Sequence, residues 1–161
     1  MLAAEDRILR PAANSAVKPG ATSIIASGAG ALKLDGKPAP AKKLAPGVWS
    51  AEVDVPPGVH EIEIGTAKLR FLAGSPEGGW KEFRMHPPAA ACGACHAVIE
   101  GAWSFKDGSC FGCHDPQAFP KTHQHASEVL LECQMCHDPH GSTEKFHLKL
   151  ARDLACKQCH G

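Results

Sequence analysis

The chain is poor in what an ordinary globular core is built from. Tyrosine is absent and aromatic residues make up only 6% of 161 residues. Charge of one sign is lacking too: 17 Lys and Arg balance 17 Asp and Glu, so nothing points to nucleic acid or an anionic membrane as a partner. No run of 18 apolar residues occurs, which excludes a membrane-spanning helix of ordinary length. Methionine is scarce, with 3 residues, and the first 91 residues hold no cysteine. With 16 Gly and 13 Pro the chain lies above average usage, yet below the level that marks disorder. What it has in excess is 8 cysteines and 10 histidines.

All eight cysteines fall into one pattern. Cys92-Gly-Ala-Cys95-His96, Cys110-Phe-Gly-Cys113-His114, Cys133-Gln-Met-Cys136-His137 and Cys156-Lys-Gln-Cys159-His160 are four C-x-x-C-H pentads with no cysteine left over. Such a pentad is an attachment site for haem c. Two thiols three positions apart can form thioethers to the two vinyl groups on one edge of the porphyrin. The next residue then lies under the ring, where its neutral imidazole binds the iron. Zinc ribbons and thiol redox centres also use C-x-x-C pairs, but neither requires histidine directly after the second cysteine. Four such histidines by chance is on the order of one in 10⁵. Four haem c groups are therefore expected, held by Cys92, Cys95, Cys110, Cys113, Cys133, Cys136, Cys156 and Cys159, with His96, His114, His137 and His160 as proximal ligands.

From His86 to Gly161 there are 76 residues for four macrocycles. So short a segment cannot enclose them in a protein core; the haems must be the core, in contact with one another. Six histidines lie outside the pentads: His60, His86, His123, His125, His140 and His147. Met1 is terminal, Met135 is inside a pentad and Met85 merely adjoins His86, so sulfur ligation has little to draw on. Bis-histidine irons are expected, with His86, His123, His125 and His140 as distal ligands. His123 and His125 form an H-x-H whose alternate residues face opposite ways in an extended chain, enough for two different haems. His147, in a segment read as helical over Phe146 to Ala151, and His60, in a strand, remain open, either as ligands of a neighbouring subunit or as packed or solvent-facing side chains.

The segment from His86 resembles the multihaem c-type cytochromes built from paired C-x-x-C-H units, the doubled C-x-x-C-H motif. His86 before the first pentad, the His123/His125 pair before the third, and His137-Asp138-Pro139-His140-Gly141 after it carry the resemblance. It departs at Ala97-Val98-Ile99 and at Gln117, which stands where the near copy His114-Asp115-Pro116-Gln117 would have a histidine. The resemblance implies bis-histidine haems in a stacked chain that serves periplasmic or extracellular electron transfer.

Residues 1–84 read as a small all-β accessory domain, an antiparallel sandwich, and 85–161 as a haem-cored tetrahaem cytochrome domain of coil and short helices. Strands are expected over Ala31–Leu34, Val48–Val55, Val59–Ile64 and Lys68–Leu72, parted by Asp35-Gly36, Pro46-Gly47, Pro56-Pro57-Gly58 and Gly65. The Leu32-Lys33-Leu34-Asp35-Gly36-Lys37 and Pro57-Gly58-Val59-His60-Glu61-Ile62 segments are similar to PEGA-type and other immunoglobulin-like domains. The Ala/Pro/Gly-rich stretch before Ala29 would dock through Arg7-Ile8-Leu9 or Ser23-Ile24-Ile25, on this chain or a neighbour. Gly74 to Gly79 is the expected linker.

The residues at the start, Met1-Leu2-Ala3-Ala4-Glu5-Asp6, do not form a signal peptide, whereas attachment of haem c takes place outside the cytoplasm in the family resembled. An exported chain with its leader removed is expected. Six-coordinate irons leave no open position for substrate, so the expected function is electron transfer and not enzymatic catalysis. Redox proteins or extracellular acceptors would be the partners, with the chain acting as a shuttle or as a subunit of a homo-oligomer or conductive filament. A multihaem reductase would need one five-coordinate haem with acid–base groups near it; a metal-binding or adhesion module would need zinc in the cysteines.

Overall fold

The computed structural model describes residues 5–86, 92–107, 109–115, 117 and 132–161. It is mostly β-sheet with few helices. Ten strands fill the first half: β1 Arg7–Arg10, β2 Ser15–Val17, β3 Gly20–Ser27, β4 Lys33–Leu34, β5 Lys37–Pro38, β6 Lys42–Ala45, β7 Val48–Val55, β8 Gly58–Ile64, β9 Ala67–Ala73 and β10 Lys81–Glu82. They form a four-stranded sheet, β1-β3-β7-β6, and a six-stranded sheet, β10-β2-β9-β8-β4-β5. Alternation decides which side chains meet between the sheets. Ile24, Ala26, Ala51 and Val55 come from the first; Ile62, Ile64, Phe71 and Ala73 come from the second, and together they make one buried cluster. The strands expected at Val48, Val59 and Lys68 are β7, β8 and β9, whereas the Ala31–Leu34 segment narrows to β4.

Residues 5–29 are not a loose tail. β1 pairs antiparallel with β3 on the same chain, and β3 runs along the whole of β7. Asp6 adds a second tie: its carboxylate accepts the backbone N–H of Ala29 at 3.3 Å and that of Thr66 at 2.9 Å, joining the loops after β3 and β8. The expected all-antiparallel pattern is corrected here. β2 pairs parallel with β9, and β10 parallel with β2. The chain reaches β2 only after crossing from the first sheet through Pro11 to Asn14, and from that side it enters alongside β9 in the same direction. The expected linker is likewise short, since Gly74 donates its N–H to Val17 at 2.9 Å and β10 rejoins the sheet at Lys81.

His60 is a structural residue of this first half. It is 7% exposed, with Nδ1 2.7 Å from Asp35 Oδ2 and Nε2 2.8 Å from the Pro56 carbonyl. Both neighbours accept, so the ring makes both hydrogen bonds when both nitrogens carry protons, which favours the imidazolium. Burial opposes that charge, but Asp35 and the Pro56 carbonyl outweigh it and raise the pKa above 6.5. Burial also works against the Asp35 carboxylate, which His60 and the Glu61 N–H nonetheless hold below 3.8.

The second half begins with the single-turn helix α1, Cys92–Cys95, followed by the hairpin β11 His96–Ile99 and β12 Ala102–Phe105. 3₁₀ turns follow at Ser109–Gly112, Cys133–Met135 and Lys145–His147, and helix α2 spans Arg152–His160. The hairpin was not expected in a coil-and-helix domain. Glu100 and Gly101 both take positive φ, 50° and 81°, the two-residue turn that suits twisted strands. The helix expected at Phe146–Ala151 is also corrected: Phe146 and His147 sit at φ 58° and 55°, Leu148 is extended, and the helix starts only at Arg152. Folding the segment back along the third pentad demands that reversal.

Among the described residues, contacts that join the halves include the ion pair of Lys81 in β10 with Glu144. Trp103 of β12 packs, as Leu9 does, against the cluster of Ile25, Ala45 and Val48 on the outer face of the four-stranded sheet. That contact explains why Ile24 and Ile25, adjacent in β3, are both buried. Beyond β10, Arg84 and Ser142 exchange backbone hydrogen bonds at 2.9 Å each, an antiparallel bridge.

Two predictions follow the packing. The Asp35–His60 pair contributes most between about pH 4 and 6.5. Its carboxylate share is lost as pH falls through the lowered pKa of Asp35, and its imidazole share as pH rises through the raised pKa of His60. Urea midpoints of Asp35→Asn, read by far-ultraviolet circular dichroism, should fall furthest below wild type near pH 5.5, the gap narrowing as pH rises through the raised pKa of His60. Trp103→Ala should cost about 1–3 kcal/mol, less than a fully buried aromatic because the indole is only half-buried. Limited proteolysis should then cut the second half faster while residues 7–73 stay protected.

Candidate haem-binding site

Each pentad lies on a helical turn. α1 carries Cys92 and Cys95, the 3₁₀ turns at Ser109–Gly112 and Cys133–Met135 carry or adjoin the next two pairs, and α2 carries Cys156 and Cys159. Positions i, i+3 and i+4 share one side of a helical turn, so both thiols and the following imidazole come to the same side. Backbone bonds fix that arrangement: His114 N–H reaches the Cys110 carbonyl at 2.9 Å, and His137 N–H that of Cys133 at 3.0 Å. None of the eight cysteines is joined in a disulfide, and none is fully buried. Three pentads converge at Cys110, whose thiol pKa is raised by burial, then by Cys133 and Cys95.

The histidines group around these turns. His96 and His140 have ring centroids 6.1 Å apart with planes 19° from parallel. His86 lies 5.8 Å from His114 and 5.2 Å from His147. Trp103 stacks on His96 at 5.2 Å, so the side chain that docks the hairpin also braces the imidazole that follows the first cysteine pair. His123 and His125 lie outside the described residues. His60 stands apart, with both nitrogens committed within the β-sheets. His160 ends α2, whose residues are exposed or half-buried.

Several rings are held by one nitrogen. His137 donates Nδ1–H to the Phe146 carbonyl at 2.7 Å, because the 145–149 segment lies antiparallel along the third pentad. The positive φ of Phe146 and His147 makes that return possible. His140 places Nδ1 3.1 Å from Asp138 Oδ1, which also accepts the His140 backbone N–H at 2.9 Å. Burial works against the Asp138 carboxylate, but the His140 contacts outweigh it and lower its pKa. A ring pinned at Nδ1 keeps Nε2 as the donor to a metal and fixes its aim. The same Asx turn recurs after the second pentad, where Gln117 N–H reaches Asp115 at 2.9 Å. The local turn is thus shared, and only the side chain at its end differs.

Haem fits this donor set. Burial, then neighbouring imidazoles, lower the pKa of His86 and His96, favouring the neutral ring that binds iron. The Nδ1 atoms of His96 and His147 are buried without a hydrogen-bond partner. No large apolar side chain described between Cys92 and Gly161 is buried, whereas Val98, Ile99, Met135, Phe146, Leu150 and Leu154 are exposed. Phe146 reaches 78%. A segment of this kind presents apolar surface toward large flat groups and not toward a core of its own.

The supporting residues were harder to find from sequence. Trp103 had a signal, since Ala97-Val98-Ile99 and Ala102-Trp103-Ser104-Phe105 flank Glu100-Gly101 with strand-forming residues. Ser142, whose hydroxyl donates to the Leu148 carbonyl, had none.

Residues 123–161, which contain the third and fourth pentads, match the family model described as the doubled CXXCH motif. No curated protein and no solved structure matches the chain. The matched motif is that of multihaem, c-type cytochrome-like proteins, and with it the chain carries the means for covalent haem c binding and electron transfer.

Proposed function

We propose that the chain is an exported electron carrier holding four haem c groups, one per pentad, with every iron closed by two histidines. The observation that carries this is the repetition of one donor arrangement: four thiol pairs on helical turns, each followed by a histidine, with further imidazoles gathered beside two of them. Bound haem supplies one-electron iron chemistry at a potential set by its axial ligands and surroundings. The chain contributes the rest. Cys92 with Cys95, and the corresponding pairs at Cys110, Cys133 and Cys156, would anchor the groups. His96, His114, His137 and His160 would bind from one side. His86, His123, His125 and His140 are the proposed donors on the other.

The Asp138 carboxylate and the Phe146 carbonyl hold His140 and His137 in aim. Their fixed rings would keep coordination the same in both oxidation states, which lowers the rearrangement each electron must wait for. The convergence of Cys95, Cys110 and Cys133 supports close spacing of three attachment points. A carrier with no open iron position has no site for substrate, so catalysis is not part of this reading. Redox proteins or extracellular acceptors are its proposed partners, met as a shuttle or as a subunit of a filament.

A pyridine haemochrome assay on the purified protein should give four haems per chain, and replacing any cysteine pair with serine should lower the count by one. Reduced protein should stay low-spin and leave carbon monoxide unbound. Fewer haems would overturn the stoichiometry, and carbon monoxide uptake at one centre would favour the reductase reading. Electron micrographs of native material would separate single particles from filaments.

A further inference from the structure

Bis-histidine ligation, on which this inference rests, leaves open which imidazole faces which. Two metal–nitrogen bonds of about 2 Å, with about 1 Å from each nitrogen to its ring centre, set imidazoles that share an iron about 6 Å apart. Among the described residues, two pairs of one pentad histidine and one outside histidine lie at that spacing. They are His96 with His140 at 6.1 Å and His86 with His114 at 5.8 Å.

We propose that His140 is the second axial ligand of the iron bound by His96, and His86 that of the iron bound by His114. The assignment crosses the order of the chain. His86 lies closer in sequence to the first pentad, yet serves the second; His140 trails the third, yet serves the first. It also accounts for both departures from the motif. The first two pentads carry Ala97-Val98-Ile99 and Gln117 where a trailing histidine would stand, and their ligands arrive from elsewhere.

One backbone contact delivers both rings. Arg84 pairs with Ser142, so His86 and His140, two residues along in opposite directions, come opposite each other across the antiparallel bridge. Gly141 is what lets the strands close. It sits at φ 126°, and a Cβ there would fall 2.6 Å from Phe83 Cζ, 2.7 Å from the Arg84 oxygen and 3.1 Å from Met85 Cα. Gly141 is therefore a positioning residue for two irons at once. His147 lies closer to His86, at 5.2 Å and edge-on, but follows no cysteine pair and so is not the proximal partner of an attached haem.

The test uses the haem-loaded protein. A map at side-chain resolution should show His140 opposite His96 and His86 opposite His114. His140→Ala and His86→Ala should each convert one of four haems to a high-spin, carbon-monoxide-binding centre, reversed by added imidazole. Gly141→Ala should perturb two. In a Cys92→Ala/Cys95→Ala background, which lacks the first haem, His140→Ala should add no high-spin centre, whereas His86→Ala should still add one. Four bis-histidine irons with other partners for His96 and His114 would overturn the pairing while leaving the proposed function intact. A wild-type iron with no second imidazole beside His96 or His114 would overturn both. Unchanged spectra for Gly141→Ala would overturn the positioning role.

Discussion

A polypeptide segment that buries no large apolar side chain of its own has to be held from outside, and the second half of this chain is organised by that constraint. Its described residues keep Val98, Ile99, Phe146, Leu150 and Leu154 at the surface. Contacts with the β-sheets position it instead. Trp103 rests against the cluster of Ile25, Ala45 and Val48, and the strand end after β10 pairs with Ser142. Both contacts reach the histidines directly, since Trp103 stacks on His96 and the Arg84–Ser142 bridge lies between His86 and His140. The β-half thereby acts as a frame for the placement of these histidines.

Histidine plays two opposite parts here, and hydrogen-bond bookkeeping separates them. His60 sets both ring nitrogens against acceptors, which favours its cation, and belongs to the β-half. His137 and His140 commit only Nδ1, to the Phe146 carbonyl and to Asp138, and retain Nε2. A ring tied at one nitrogen is aimed; a ring tied at both is spent. Sequence placed His60 in a strand without showing that Asp35, 25 residues earlier, would face it.

Legibility followed range. β7, β8 and β9 were readable because alternation is a local property, and Asp35-Gly36 announced its own turn. β2 and β10 were not, because three residues of Ser-Ala-Val or two of Lys-Glu become strands only when β9 and β2 supply the hydrogen bonds. Ile24 and Ile25 broke the alternation because Trp103, distant in sequence, covers the outer face. The segment at Phe146 looked helical from its apolar spacing, but its carbonyl is taken by His137, and positive φ at two successive residues overrode local preference.

The sequence by itself determined the chemistry of attachment: thiols three apart with an imidazole next in line set a covalent geometry within five residues, and nothing distant can alter it. It also determined the supply of further imidazoles and the scarcity of sulfur donors. Tertiary structure alone decided which of those imidazoles come near one another. That choice depends on a backbone bridge between residues 58 positions apart and on the absence of a Cβ at Gly141. Neither leaves a periodic trace in the chain, because close approach is a property of two segments and not of either one.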